Sequence, residues 1–290
     1  MVKMGYVWDR TVETLSDRLS VILPIAILGI FLPSCVTTSL EGLREAAAPG
    51  AKMGLSLVSL FASLLSLWAQ LAIIAAAVDL RRTTGDVAGL ATKRLLPAIG
   101  AFFLIGLAAT LLMLPAVVLV VLGGIDANAM ATGQVVVERL NGTYVGIATL
   151  YGLVAIIAIL FLGARLAPLS AVIVEERRGA GAIPYAFRLT RGLTWRLVGV
   201  LLLYGIVALV SVLAVQTVFG TVLRLFDSGT GPITLTGVAT AIATAAVSAV
   251  FTVLATIFCA RLYVAIVGAA GRPAVAADTA VRPLRDDPLP

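Results

Sequence analysis

Hydrophobic residues of this chain fall into six long runs that short polar stretches separate. The runs cover residues 20–40, 54–80, 95–122, 144–174, 197–219 and 234–267. Each run reaches the ~20 residues that an α-helix needs to cross the hydrocarbon core of a bilayer. The pattern predicts an all-α integral membrane protein in which about six transmembrane helices form one bundle, within a single membrane domain of residues 1–269.

The polar stretch before the first run has a helical pattern of its own. Between residues 3 and 18, Trp8, Val12 and Leu15 recur at helical spacing, and acidic and basic side chains occupy the other faces. An amphipathic helix of this kind lies in the membrane interface with its apolar face in the lipid. We therefore predict an interfacial helix over residues 3–18, an elbow that leads into the first span.

A second amphipathic stretch, residues 182–196, precedes the fifth run. Its apolar side chains share one side, Arg188 and Arg191 lie toward the other, and Trp195 is expected at headgroup height. Such a helix suits the surface of an anionic lipid leaflet. Residues 182–196 are therefore predicted to form an elbow whose only role is to fix the topology. The more specific alternative is a contact site for lipid headgroups.

A basic stretch runs directly into a span three times, at Arg18, Arg94 and Arg196. This order predicts three units, each made of an interfacial elbow, an outgoing span and a returning span. Membrane hairpins whose basic loops share one side would produce part of the same pattern without a repeat. Both interpretations stay open from the sequence.

Composition supports a membrane protein and narrows the chemistry. Of the 290 residues, 60% are hydrophobic and 12% are charged, against about 25% charged in soluble domains. The sequence has no histidine, and Cys35 and Cys259 lie in apolar surroundings. We therefore expect no disulfide framework, no metal site and no cofactor. The sequence also lacks the glycine-rich nucleotide loop and the nucleophile elbow of hydrolases.

Lysines and arginines predict the orientation. Fifteen of them lie in the N-terminal stretch, the second-to-third and fourth-to-fifth connections and the segment after the sixth run, whereas four lie in the opposite connections. By the positive-inside rule, both termini are cytoplasmic. The net charge of +6 is thus interpreted as topology and not as nucleic-acid binding, and residues 270–290 as a disordered cytoplasmic tail.

Two arginines fall inside predicted spans. If residues 144–174 form one straight helix, the Cα atom of Arg165 lies about 13 Å inside its cytoplasmic end. Arg261 lies nearer to the end of the sixth run. A cation in this position either contacts an anion or a substrate, or extends to the headgroup layer and has a structural role alone.

Two carboxylates end spans on the same side as these arginines. Asp79 closes the second run, and we hypothesise that it pairs with Arg165 or Arg261 across the bundle. Glu175 stands beside Glu176 and two arginines at the end of the fourth run. Adjacent carboxylates on a helix face different directions, so Glu175 is predicted to belong to a solvated helix end and not to an acid–base pair.

Two segments of the chain resemble a known membrane family. Arg165-Leu166-Ala167-Pro168 followed by Glu175, and Arg188-Leu189-Thr190-Arg191-Gly192 followed by Trp195-Arg196, are similar to the motifs of the "glycerophosphoryl diester phosphodiesterase membrane domain" family and of related uncharacterised bacterial six-span proteins. The resemblance implies a six-span fold in the bacterial inner membrane. It implies no phosphodiesterase activity, because the fused catalytic domains that name the family depend on histidines, and this chain has none.

These features lead to two functional hypotheses. The first is a non-catalytic membrane protein that assists a protein partner or interacts with membrane lipids. The alternative is a transporter of a lipid or small molecule, which requires a polar site near the middle of the bundle, such as a cavity lined by Arg165, Asp79 and Gln216. An intramembrane enzyme ranks last, because no pair of nucleophile and base stands out.

Overall fold

The computed structural model describes residues 4–46, 48–124, 141–176, 181–224 and 235–269. In these ranges the chain forms α1 (Met4–Asp17), α2 (Leu19–Ala26), a π-helical segment (Ile27–Phe31), α3 (Leu32–Ala46), α4 (Pro49–Val78), α5 (Thr84–Leu122), α6 (Gly142–Leu166), α7 (Leu169–Glu175), α8 (Ala182–Leu189), α9 (Thr194–Arg224) and α10 (Leu235–Ala269). The predicted tail, residues 270–290, lies outside the described residues.

Six helical stretches among the described residues are long and apolar enough to cross a membrane. They are Leu19–Leu40, Gly50–Val78, Thr84–Leu122, Gly142–Glu175, Thr194–Leu223 and Thr236–Ala269. They confirm the prediction of an all-α bundle of six membrane helices. The protein is a polytopic membrane protein.

The predicted elbows differ from one another. Helix α1 is separate from the first span, and α8 is separate from the fifth. The basic stretch around Arg94, in contrast, is continuous with the third span. The capping box explains this, because the Thr83 hydroxyl accepts from the Asp86 N–H and the Asp86 carboxylate accepts from the Thr83 N–H, so the helix starts at Thr84. An elbow that is separate from its span is therefore present at α1 and α8.

The core lies at one end of the bundle, which we call the packed end. Residues 69–77 of α4 are buried there except for Gln70, and Ile257 and Ala260 of α10 are fully buried beside them. The other ends of the long helices have fewer buried residues among those that the structure describes. No residue is buried from 102 to 122 of α5 or from 199 to 223 of α9. These apolar surfaces suit lipid as the surrounding solvent.

The fourth span is interrupted at Pro168. Helix α6 ends at Leu166, and α7 begins at Leu169, because the proline has no N–H and its ring clashes with the carbonyl four residues earlier. Helix α7 then enters the packed end, where it contacts α4, α5, α8 and α10, and residues 171–174 are 0–1% exposed. Arg165 therefore lies in the last turn of α6. The distance of about 13 Å, which applies to an ideal straight helix, therefore does not describe the position of Arg165.

The π-helical segment adjusts the first span to its neighbour α4. The N–H of Leu32 bonds to the carbonyl of Ile27, five residues earlier, which widens the helix locally. Gly29 lies at the closest approach. A methyl group on Gly29 would lie 2.3 Å from the Cβ atom of Ala69, so only glycine fits between these two backbones.

We predict that Gly29→Ala lowers the free energy of unfolding by about 1–3 kcal/mol, because the added methyl group overpacks the contact with Ala69. Gly106→Ala is the matched control, since a Cβ atom there meets nothing within 4 Å; it should be neutral or stabilise the helix by up to ~1 kcal/mol. Chemical unfolding in one detergent measures both. Equal effects of the two substitutions would contradict the close helix contact.

Candidate functional site

The guanidinium group of Arg165 lies against two aromatic rings. Its Cζ atom is 5.2 Å from the ring centroid of Phe161 and 5.6 Å from that of Phe187, distances at which a cation is attracted to a ring face. Its Nε atom donates to the Thr194 hydroxyl at 3.4 Å. Its two terminal nitrogens have no acceptor within the described part of the chain, so they keep free N–H groups for an external anion.

The turn that follows α8 holds Arg165 in place. The buried Thr190 hydroxyl shares its one proton between the carbonyl oxygens of Arg165 at 3.2 Å and of Ala186 at 3.0 Å. The first of these bonds satisfies one of the carbonyls left open at the end of α6. Gly192 has a φ of +89°, a conformation that glycine adopts without strain. The turn thereby brings Thr194 back to the Arg165 side chain.

Exposed aromatic and basic side chains lie beside this group. The Trp195 side chain is 79% exposed, and its ring meets that of Phe161 edge to face at 5.9 Å. Arg188 and Arg191 are exposed, and neither has a charged partner among the residues that the structure describes. We call this set the Arg165 elbow: Phe161, Arg165, Phe187, Arg188, Arg191 and Trp195.

The structure thus brings together several residues that the sequence singled out separately. Arg165 and Trp195 meet through the ring of Phe161, and Arg188 lies on the same short helix as Phe187. Neither Phe161 nor Phe187 was a candidate site residue from the sequence. Phe161 lies four residues before Arg165, on the same helix face, and this spacing was the available signal. Phe187 reaches Arg165 only through the tertiary fold.

A second polar group, the Arg82 network, lies at the packed end. The terminal nitrogens of Arg82 donate to both carboxylate oxygens of Glu175, at 2.6 and 3.0 Å, and the Arg82 Nε atom lies 3.4 Å from the Asp79 carboxylate. The Glu175 side chain is only 9% exposed. Both sequence predictions are therefore corrected: Glu175 is not at a solvated helix end, and Asp79 pairs with Arg82 instead of Arg165 or Arg261.

The Arg82 network joins segments that are far apart in sequence. Arg18 donates to the carbonyl oxygens of Asp79 at 3.2 Å and of Arg82 at 3.1 Å, and the Tyr263 hydroxyl lies 3.2 Å from the Glu176 carboxylate. Burial lowers the pKa of Arg82, but the hydrogen bonds and charge of Glu175 outweigh it and raise this pKa above its usual value. The guanidinium therefore stays charged and tied to α7.

Arg261 lies apart from both groups. Its Nε atom donates to the hydroxyl of Thr14 in α1 at 2.5 Å. Gln216 is exposed on α9, 22 residues beyond Thr194 and hence about 33 Å farther along the helix axis. Arg165, Asp79 and Gln216 therefore do not line a common cavity, which was an arrangement that would have favoured the transporter hypothesis.

Within the described ranges, no three histidine, cysteine, aspartate or glutamate side chains come together as a metal-binding group. Comparison with known proteins gives no significant match to a protein-family model, a curated protein or a solved structure. The resemblance to the phosphodiesterase membrane-domain family stays a prediction from the sequence motifs.

We predict that Arg82→Gln and Glu175→Gln each lower the free energy of unfolding by about 2 kcal/mol, because each leaves a largely buried charge without its partner. The double variant should lose about 1–2 kcal/mol less than the sum. Glu13→Gln is the control, since Glu13 pairs with Arg10 but both side chains are about half exposed, and its effect should stay below ~1 kcal/mol. Additive losses for Arg82 and Glu175 would contradict their coupling.

Proposed function

We propose that this chain is a non-catalytic membrane protein whose Arg165 elbow binds the headgroup of an anionic lipid. The observation that carries the proposal is the Arg165 guanidinium. Its terminal N–H groups have no acceptor among the described residues, while its Nε atom and its two aromatic neighbours fix its direction. A lipid bound here would hold the elbow, and a protein partner that contacts it, at the membrane surface.

Phosphate is the group that fits this chemistry best. The planar guanidinium fork matches two phosphate oxygens and forms charge-assisted hydrogen bonds. Because Arg165 is already oriented, little side-chain entropy is lost on binding. Arg188 and Arg191 each add about 1 kcal/mol of attraction to an anionic surface. An exposed tryptophan such as Trp195 is typical of the interfacial layer where headgroups lie.

The proposed location is the bacterial inner membrane, with both termini in the cytoplasm. The excess of basic residues on one side of the predicted topology supports this orientation, as does the resemblance to bacterial six-span proteins. The Arg165 elbow would then face the cytoplasmic leaflet, whose anionic lipids supply the negative surface potential.

A transporter remains the alternative, but no observation favours it. The polar residues that a midplane site would use lie at separate places, with Asp79 on Arg82 and Arg165 on Thr194. The polar groups described above form ion pairs and helix caps or are exposed cations. None of them pairs a nucleophile with a base, and this supports the non-catalytic part of the proposal.

We predict that Arg165→Ala reduces the retention of phosphatidylglycerol about 10-fold, because it removes a charge-assisted phosphate contact. Native mass spectrometry of protein released from phosphatidylglycerol nanodiscs measures the bound lipid. Lys93→Ala, which removes an exposed cation on α5 outside the elbow, should leave retention unchanged. Unchanged retention in Arg165→Ala, or equal loss in Lys93→Ala, would remove the elbow as the lipid site.

The orientation gives a separate prediction. A cysteine introduced as Asp9→Cys should react with an impermeant maleimide in inside-out vesicles and not in intact spheroplasts, and Lys52→Cys should show the opposite. Both positions are exposed, and Cys35→Ser with Cys259→Ala removes the native thiols. The reverse labelling pattern would invert the topology and place the elbow at the outer leaflet.

A further inference from the structure

A cleft of about 360 Å³ lies where α1 rests against α10, separate from the Arg165 elbow. Leu80 and Val264 form part of its walls. Its polar lining consists of Tyr6, Arg10, Glu13, Thr14, Asp17 and Arg261. The site therefore contains two cations and two anions, with no net charge.

Two of these four charges are already paired. Arg10 donates to Glu13 at 2.6 Å and to the Tyr6 hydroxyl at 3.1 Å. The other two are not. The terminal nitrogens of Arg261 and the carboxylate of Asp17 make no hydrogen bond or ion pair with each other or with any other residue that the structure describes. One free cation and one free anion thus line the same cleft.

A hydrogen bond to α1 fixes the orientation of the Arg261 guanidinium group. Its Nε atom donates to the Thr14 hydroxyl at 2.5 Å, and that hydroxyl donates in turn to the carbonyl oxygen of Arg10 at 2.6 Å. Thr14 is 2% exposed, so this side of the guanidinium is fixed. A partly buried cation that makes no direct ion pair among the described residues has a desolvation cost that is only partly offset, and an anionic ligand would offset more of it.

We propose that this cleft binds a small zwitterion that carries a phosphate and a primary ammonium group, as phosphoethanolamine does. The phosphate pairs with Arg261 and the ammonium with Asp17. A ligand with only negative charge is disfavoured, because Asp17 and Glu13 repel it. A trimethylated ammonium is a poorer ligand, because it has no N–H group to donate to the carboxylates.

The side of α1 on which the cleft lies indicates whether its ligand comes from water or from the membrane. Tyr6, Arg10, Glu13 and Asp17 follow one stripe of α1 at helical spacing, whereas Trp8 and Val12, which are exposed and apolar, lie on the opposite side. Trp8 packs against Tyr204 and Phe258, and Val12 is half exposed. This apolar side of α1 faces the bundle and the lipid, so the cleft on the other side opens toward water. The ligand is therefore a soluble ester or the same headgroup on a phosphatidylethanolamine molecule, and the experiment separates the two.

The test uses the full chain in phosphatidylcholine nanodiscs and titrates phosphoethanolamine by calorimetry. We expect saturable binding with one site, at least 10-fold weaker for phosphocholine. Arg261→Gln should weaken binding at least 10-fold. Asp17→Asn should weaken phosphoethanolamine at least 10-fold but leave the affinity for inorganic phosphate unchanged or higher, because only the ammonium contact is lost.

Two controls separate this site from other effects. Asp9→Asn changes an exposed carboxylate of α1 that does not line the cleft, and it should leave binding unchanged. Lys93→Ala, which removes an exposed cation outside both the cleft and the elbow, should also leave it unchanged. The elbow is tested separately by the retention of phosphatidylglycerol, so failure of the Arg165 elbow and failure of the cleft are distinguishable. Thermal unfolding checks each variant. If Arg261→Gln does not fold, the titrations of Asp17→Asn test the proposal, because Asp17 is exposed.

A second arm replaces the soluble ester with lipid. Retention of phosphatidylethanolamine over phosphatidylcholine in native mass spectrometry, lost in Asp17→Asn, would support the cleft with a lipid as its ligand. Absence of saturable binding to the soluble ester together with no preference for phosphatidylethanolamine would overturn the proposal. Equal weakening of phosphoethanolamine and phosphate by Asp17→Asn would overturn it as well.

Discussion

The ion pair of Arg82 with Glu175 is the interaction on which the packed end of the bundle depends. It fixes the end of α7, the short helix whose residues 171–174 are almost fully buried, against the connection between α4 and α5. Burial of two charges is costly unless both are well hydrogen-bonded. Here the two-pronged contact of Arg82, its second carboxylate Asp79 and the bonds from Arg18 to the same connection meet that condition.

The position of α7 determines where the Arg165 elbow lies. Because α7 turns into the bundle at Pro168, α6 ends at Leu166 and leaves Arg165 in its last turn. The turn after α8 then bonds to the open carbonyl of Arg165 through Thr190. A residue that a straight helix would have placed within the hydrocarbon instead lies next to an exposed tryptophan. The packed end and the elbow are thus two parts of one arrangement.

Much of the fold could be predicted because a bilayer imposes a length and a polarity on each helix. The six spans and the separate α1 elbow follow from that constraint. The contacts of Glu175 and Asp79 could not be predicted. Pro168 interrupts the fourth span, but the direction of the chain after it depends on which helices α7 contacts. This direction places Glu175 against Arg82. Arg165, Arg188, Arg191 and Trp195 were found from charge and aromaticity, whereas Phe187 required the tertiary fold.

The depth of Trp195 tests most directly whether the Arg82 network places the elbow at the headgroup layer. Tryptophan fluorescence would be measured in protein carrying Trp8→Phe and Trp68→Phe, in bilayers whose lipids carry a quencher at the headgroup or at successive positions along the acyl chain. We expect strongest quenching by the headgroup and upper-chain labels, and a broader depth profile when Arg82→Gln is added. Strongest quenching by labels near the bilayer centre, or a depth profile that Arg82→Gln does not change, would contradict this placement.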